Sequence, residues 1–181
     1  MEKKTFLQQA KEEKRSYLLY FLIYCPLGAV APLLGQYLSG IGFSGTQVGI
    51  VTSTGTATAV VAGIFWGKCY ANTAYKRRLI ALLFLASATF AILTLRTTAF
   101  WWYVVLYGAM YAFQGPVHGL CDSFMMDGGR NFPIVRAWGA LGYSVSVYAA
   151  GNYAEVHGLT CIFYIYAAAF VLAAVVILRE A

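Results

Sequence analysis

Charged residues are scarce in this 181-residue chain, where Asp, Glu, Lys and Arg make up 11% of the sequence and hydrophobic residues make up 60%. A soluble globular domain carries about 25% charged residues, because these coat the surface that faces water. The shortage of charge therefore excludes a soluble globular protein. The mean hydropathy of +0.65 points to lipid as the solvent of most of the chain.

Catalytic and metal-binding motifs are missing as well. The sequence has no HExxH motif, no P-loop and no nucleophile motif, and its glycine-rich stretches lie within apolar runs. There is no CxxC motif and no Cys/His pairing among its cysteines, Cys25, Cys69, Cys121 and Cys161. This spacing favours packing roles for the cysteines over a metal site or a disulfide. We therefore predict a protein that is not an enzyme and that needs no cofactor or metal.

Six apolar runs follow a polar N-terminal segment. A transmembrane helix needs about 20 apolar residues, and the runs predict spans at 17–38, 46–67, 79–97, 99–126, 134–154 and 158–178. The expected organisation is a basic cytoplasmic segment over residues 1–16 and a six-span helical bundle over residues 17–181. The fold class that follows is an all-α, polytopic membrane protein. Pro26 and Pro32 predict a bend in the first span.

The net charge of +6 comes from basic residues that lie at alternate ends of the spans. These residues precede the first span and follow the second, fourth and sixth: Lys3, Lys4, Lys11, Lys14, Arg15, Lys68, Lys76, Arg77, Arg78, Arg130, Arg136 and Arg179. The loops at the opposite ends contain only Arg96. The positive-inside rule therefore predicts that both termini lie in the cytoplasm. This distribution does not form a nucleic-acid-binding patch, so we expect the chain to interact with the lipid bilayer and not with nucleic acid.

The fourth span carries polar residues at helical spacing. Tyr111, Gln114, His118 and Asp122 follow one another at intervals of 3, 4 and 4 residues, which places them on one face of a continuous helix. A polar face within an apolar span must contact protein or water rather than lipid. His118 is either a satisfied interior residue or part of the wall of a polar cavity, and its spacing alone does not decide between the two.

Asp122 needs a partner, because a charged side chain near the bilayer centre costs about 2.5–3.5 kcal/mol. The fourth and fifth spans form a hairpin whose turn contains Gly128 and Gly129, and Asp122 and Arg136 lie at similar distances on either side of that turn. The two side chains are therefore predicted to form an ion pair. Two alternatives without a solute-binding role stay open. In one, Arg136 extends its side chain to the cytoplasmic surface of the membrane; in the other, Asp122 serves only to orient the hairpin.

Three segments of the sequence resemble a known family. The run from Asp122 to Tyr143, DSFMMDGGRNFPIVRAWGALGY, is similar to the helix four to helix five segment of the major facilitator superfamily. The closest resemblance is to the branch of lactose-permease-like proton symporters for oligosaccharides, nucleosides and phenylpropionate. The segment WGKCYANTAYKRR, residues 66–78, resembles the signature loop of the superfamily, and the opening segment from Pro32 to Gly49 is similar too.

The resemblance implies roles for particular residues. Arg136 matches an arginine that makes a bidentate contact with substrate hydroxyl groups, Asp122 matches its acidic partner, and Tyr143 matches an aromatic residue on which a sugar ring stacks. These side chains suit such roles chemically, since a guanidinium forms paired hydrogen bonds and an aromatic face accepts an apolar ring surface. We expect Trp138 to flank the same solute, with His118 and Gln114 extending the polar wall.

Two departures from the superfamily pattern shape the expected function. The signature loop lacks its usual acid, since Ala71 and Asn72 occupy that region. Members also have two six-helix halves, whereas this chain supplies six spans, so we expect a homodimer or a second six-helix half as partner. The predicted function is half of a secondary active transporter in the inner membrane, moving a small polar solute by proton-coupled symport. The alternative is a non-transporting membrane scaffold or a truncated transporter remnant.

Overall fold

The structure is a computed structural model that describes residues 6–129 and 132–179, with side chains from Glu13 onward. This part of the chain contains α-helices and no strand, which confirms the predicted all-α class. The helices are α1 (Phe6–Val30), α2 (Leu34–Gly40), α3 (Gly45–Asn72), α4 (Lys76–Thr94), α5 (Phe100–Gln114), α6 (Val117–Asp127), α7 (Phe132–His157) and α8 (Cys161–Arg179). Lys3, Lys4 and Arg130, which entered the charge argument, lie outside the described residues.

The helices form six spans, as the apolar runs predict. Helices α1 and α2 together make the first span, α5 and α6 make the fourth, and each remaining helix makes one. Within the described residues, four segments are long and apolar enough to cross a membrane: Glu13–Gly40, Gly45–Asn72, Lys76–Thr94 and Cys161–Arg179. Because α1 begins at Phe6, much of the basic N-terminal segment continues directly into the first span.

Prolines interrupt two of the spans. The first span breaks around Pro32, where α1 ends at Val30 and α2 begins at Leu34, whereas α1 continues through Pro26. The fourth span also breaks, at Gly115 and Pro116. The apolar run over residues 99–126 predicts one continuous helix, and that prediction was wrong. Pro116 has no N–H group to donate to the preceding turn, so the helical hydrogen-bond ladder is interrupted there.

The helices pack in a definite order. Helix α1 lies between α7 and α8, α4 contacts α8 and α5, and α5 contacts α3. The largest fully buried side chains are aromatic and fill the space between these helices: Tyr20, Tyr103, Tyr107, Tyr166, Phe84, Phe163 and Phe170. The buried hydroxyl groups of Ser87 and Tyr166 are hydrogen-bonded at 2.5 Å, which links α4 to α8. This satisfies polar atoms that lipid could not.

Glycines allow α1 and α7 to approach closely. A Cβ atom added at Gly142 would overlap the main-chain carbonyl group of Phe21, and one added at Gly28 would lie 2.5 Å from the carbonyl oxygen of Tyr143. Nearby, the hydroxyl group of Ser146 donates a 2.7 Å hydrogen bond to the carbonyl oxygen of Cys25. Such close contacts between small residues are a main source of helix association in membranes. They fix the position of α7, and therefore of the residues on its other faces.

Candidate functional site

Asp122 and Arg136 meet across the hairpin between α6 and α7. Atom Nη1 of Arg136 lies 3.8 Å from Oδ2 of Asp122, and the side chains are 60% and 23% exposed respectively. The turn that brings them together contains Gly129, whose φ of 65° favours glycine. The ion pair predicted from the symmetry of the hairpin is therefore present. Its guanidinium is the more accessible partner of the two.

Tyr20 of α1 completes the environment of the acid. Its side chain is fully buried, and its hydroxyl group donates a 2.5 Å hydrogen bond to Oδ1 of Asp122. Tyr20 was not among the residues predicted from the sequence. The available signal was the recurrence of tyrosine at positions 17, 20 and 24, a helical spacing that presents hydroxyl groups along one side of an otherwise apolar helix.

Phe132, at the start of α7, packs against the guanidinium of Arg136. Atom Cζ of Arg136 lies 5.8 Å from the centre of the Phe132 ring, within the range of a cation–π interaction. The same ring meets Tyr20 edge to face, with ring centres 6.5 Å apart and planes at 87°. Helices α1, α6 and α7 thus each contribute to one cluster around the guanidinium, which we call the arginine cluster: Tyr20, Asp122, Phe132 and Arg136.

Tyr143 and Trp138 lie on different sides of α7. Tyr143 follows Arg136 by seven residues, which places it on the same face and about 10 Å further along the helix. Trp138 follows Arg136 by two residues, which corresponds to a rotation of about 200°. Its ring stacks on Tyr17 at 5.7 Å, beside a cavity of about 580 Å³ that is also lined by Lys14, Leu18 and Phe21. The structure therefore brings Tyr143, and not Trp138, to the side of Arg136.

The polar stripe predicted on the fourth span is divided by the helix break. Beyond the break, His118 packs edge-on against Tyr24, with ring centres 4.7 Å apart. Its buried Nε2 has no hydrogen-bond partner among the described residues. His118 thus faces α1, as Asp122 does one turn later.

The part of the stripe before the break has different surroundings. Tyr111 packs against Tyr107, with ring centres 4.8 Å apart, and a Cβ added at Gly55 of α3 would lie 3.2 Å from its ring. Gln114 is buried, and its Oε1 has no hydrogen-bond partner among the described residues. The structure therefore directs Tyr111 toward α3, away from the side of α1 where His118 and Asp122 lie.

The loop between α3 and α4 is tied to the end of α6. Lys76 forms a 2.7 Å ion pair with Asp127, and its ammonium group lies 4.8 Å from the centre of the Tyr70 ring. The signature segment, residues 66–78, lacks an acid at Ala71 and Asn72 at the end of α3, and its Lys76, the first residue of α4, binds an acid of α6. All four cysteines are free thiols, and within the described residues no group of three or more His, Cys, Asp or Glu side chains could hold a metal ion.

Comparison with known sequences agrees with this architecture. Residues 15–180 match the model of the MFS_1 like family. The chain belongs to the major facilitator superfamily. The match covers all six spans and both halves of the hairpin that holds Asp122 and Arg136.

Two similar proteins have names that describe them as a permease and a transporter. The maltose permease of Geobacillus stearothermophilus is 30% identical over 170 residues, which cover 90% of this chain and 42% of that protein. An uncharacterized transporter of Bacillus subtilis (strain 168), YwbF, is 26% identical over 138 residues, covering 74% of this chain and 35% of that protein. This superfamily member thus spans less than half the length of either relative.

Proposed function

We propose that this chain forms the amino-terminal six-helix half of a secondary active transporter that binds a small polar solute, such as a sugar or nucleoside. The observation that carries the proposal is Arg136, a 60% exposed guanidinium held beside Asp122 within the spans. Tyr143 lies on the same face of α7. A guanidinium suits paired contacts with hydroxyl groups, and the tyrosine ring suits the apolar face of a sugar.

The charge balance of the site favours a neutral solute. Asp122 and Arg136 form a pair of opposite charge, so the site as a whole has no charge to offset that of an anion or a cation. The name of the maltose permease relative makes maltose the first solute to test. Proton-coupled symport is part of the proposal, with the proton carrier placed in the second half and not in this chain.

A second six-helix half is expected because the described bundle leaves a polar face open. The guanidinium of Arg136 is 60% exposed and would be costly in contact with lipid, although less so than the about 2.5–3.5 kcal/mol of a charge at the bilayer centre, because Arg136 lies near the start of α7. We propose that an identical copy or a separate six-helix bundle covers the side of Arg136. In this arrangement both termini lie in the cytoplasm and the protein resides in the inner membrane.

Replacement of Arg136 by lysine tests the proposal. Lysine keeps the charge but loses the planar set of donors, so we expect Arg136→Lys to weaken maltose binding at least tenfold in nanodiscs. Arg96→Lys, which changes an exposed arginine in another loop, serves as the matched control and should bind like the wild type. A scaffold in which the ion pair only locks the hairpin would tolerate lysine. Unchanged affinity for maltose and for a panel of nucleosides in Arg136→Lys would therefore refute the proposed role.

A further inference from the structure

Tyr20 is buried in α1, yet it contacts both supports of the arginine in the arginine cluster. We infer that Tyr20 is a positioning residue, which holds the side chains of Asp122 and Arg136 in the arrangement that binds the solute. This inference rests on the proposed solute site. It assigns a role to a residue of α1, a helix that contributes none of the solute-contacting side chains proposed above.

The first contact is with the acid. The Tyr20 hydroxyl donates to Oδ1 of Asp122 at 2.5 Å, whereas Oδ2 lies 3.8 Å from the arginine. The second distance exceeds that of a direct hydrogen bond. The strongest contact of the carboxylate is therefore with Tyr20 and not with Arg136. Because the tyrosine is fully buried, its hydroxyl has few alternative positions and fixes the direction in which Oδ2 points.

The second contact is with the aromatic support. The rings of Tyr20 and Phe132 pack edge to face, with centres 6.5 Å apart and planes at 87°, and Cζ of Arg136 lies 5.8 Å from the centre of the Phe132 ring. Tyr20 thus reaches the guanidinium along two routes, through a hydrogen-bonded carboxylate and through an aromatic ring. The routes use different parts of the tyrosine. The hydroxyl serves the acid, and the ring serves Phe132.

Such support matters because Arg136 is largely exposed. A long, exposed side chain samples many rotamers, and binding a solute requires it to adopt one of them. A residue that restricts the guanidinium before binding reduces that cost, and its loss weakens binding without removing any contact with the solute. Tyr20 therefore acts through Asp122 and Phe132, and it is not itself a solute ligand.

A spectroscopic experiment tests the inference without any solute. The chain is reconstituted into nanodiscs with ¹³Cζ-labelled tyrosine and ¹⁵Nε-labelled arginine, and the Tyr20 and Arg136 resonances are identified by their loss in Tyr20→Phe and Arg136→Lys. Asp122→Asn should move the Tyr20 resonance, while Asp127→Asn, which changes the acid at the end of α6, should leave it in place. Tyr20→Phe should move the Arg136 resonance. Tyr37→Phe, which changes another buried tyrosine of the first span, should not.

The result that would overturn the inference is equally direct. An Arg136 resonance that is identical in the wild type and in Tyr20→Phe would show that the tyrosine does not position the arginine. Helical content and thermal unfolding, measured by circular dichroism, confirm that Tyr20→Phe is folded. Phenylalanine keeps the ring and its contact with Phe132, so the substitution removes the hydroxyl alone.

Solute binding gives a second readout, with radiolabelled maltose as the probe. Tyr20→Phe should weaken binding about tenfold, the loss of one hydrogen bond to a charged group. The double variant Tyr20→Phe/Asp122→Asn should bind no more weakly than Asp122→Asn, because both changes break the same contact. Independent, multiplying losses would contradict the inference. If the wild type binds none of the sugars or nucleosides tested, the proposed function fails, and the resonance experiment still decides the role of Tyr20.

Discussion

Gly142 of α7 lies against the main-chain carbonyl group of Phe21 in α1, so closely that a Cβ atom at this position would overlap the carbonyl oxygen. A backbone atom cannot move aside as the end of a flexible side chain can. We expect Gly142→Ala to lower the free energy of unfolding by about 2–3 kcal/mol through overpacking. Thermal unfolding of the detergent-solubilised chain, followed by size-exclusion chromatography of the remaining folded fraction, measures the change.

Gly151 provides the matched control on the same helix. No atom lies within 4 Å of a Cβ built at Gly151, so alanine fits there. Because alanine is the better helix former, Gly151→Ala should be neutral or stabilising by up to about 1 kcal/mol. Equal stability of the two alanine variants would show that α1 and α7 do not approach as closely as the structure indicates.

Trp138 and Tyr143 should differ in their effect on solute binding. Tyr143 shares the face of Arg136, whereas Trp138 lies about 200° around α7 and stacks on Tyr17. We expect Tyr143→Leu to weaken maltose binding about tenfold, the loss of an aromatic stacking surface. Trp138→Leu should leave it within about twofold. Equilibrium binding to the two variants in nanodiscs gives the comparison, and a larger loss in Trp138→Leu would restore the sequence-based expectation that this tryptophan flanks the solute.

Small residues on α3 should mark where a second bundle packs. Gly49, Thr56 and Gly63 recur at seven-residue intervals and so lie on one face, and nothing lies within 4 Å of a Cβ at either glycine. We expect the purified chain to form a particle of twice the 19.8 kDa chain mass in native mass spectrometry. Thr56→Trp should abolish this particle, because the large ring prevents close approach.

Leu172→Trp is the control for bulk on an exposed helix face. Leu172 of α8 is 54% exposed and lies on a different helix from the small residues of α3. Its replacement by tryptophan should leave the paired particle intact. A wild-type chain that remains single at all concentrations would contradict pairing of identical copies, and a Thr56→Trp variant that pairs as readily as the wild type would contradict pairing through α3.

The ion pair between Lys76 and Asp127 should contribute little to stability. Its side chains are 38% and 56% exposed, and exposed pairs contribute at most about 1 kcal/mol. Lys76→Gln should therefore lower the unfolding free energy by no more than about 1 kcal/mol at low salt, and the difference should vanish at about 0.5 M salt. Lys68→Gln, an exposed lysine on α3, is the control. A large, salt-independent loss in Lys76→Gln would show that the loop is held by a desolvated contact.

The contact between Asp122 and Arg136 could be predicted from their spacing in the sequence. Its two members are close in sequence and lie on either side of one turn, so the length of the hairpin alone sets their relative depth. No knowledge of the other four spans is needed. The sequence gives no comparable route to Tyr20, which is 102 residues from Asp122 and meets it only because α1 packs against α7 and α6.

Trp138 and Pro116 show where spacing is insufficient. Trp138 lies only two residues after Arg136, but positions two residues apart on a helix point in different directions, and the rotation of α7 is set by Gly139 and Gly142 against α1. The periodicity of Tyr111, Gln114, His118 and Asp122 likewise assumes an unbroken helix. A break at Gly115 and Pro116 lies within this series, and Tyr111 lies near Gly55 of α3 whereas His118 packs against Tyr24 of α1.

The sequence by itself determined the solvent, the all-α class, the six spans and the ion pair of the hairpin, because hydropathy and turn spacing act locally along the chain. Only the tertiary structure decided that Tyr20 and Phe132 support Arg136, that Trp138 faces away from it, and that His118 turns toward α1. These outcomes depend on the rotation and close approach of distant helices. Interlocking glycines and hydrogen bonds between helices set that geometry, and these contacts join residues that are far apart in the sequence.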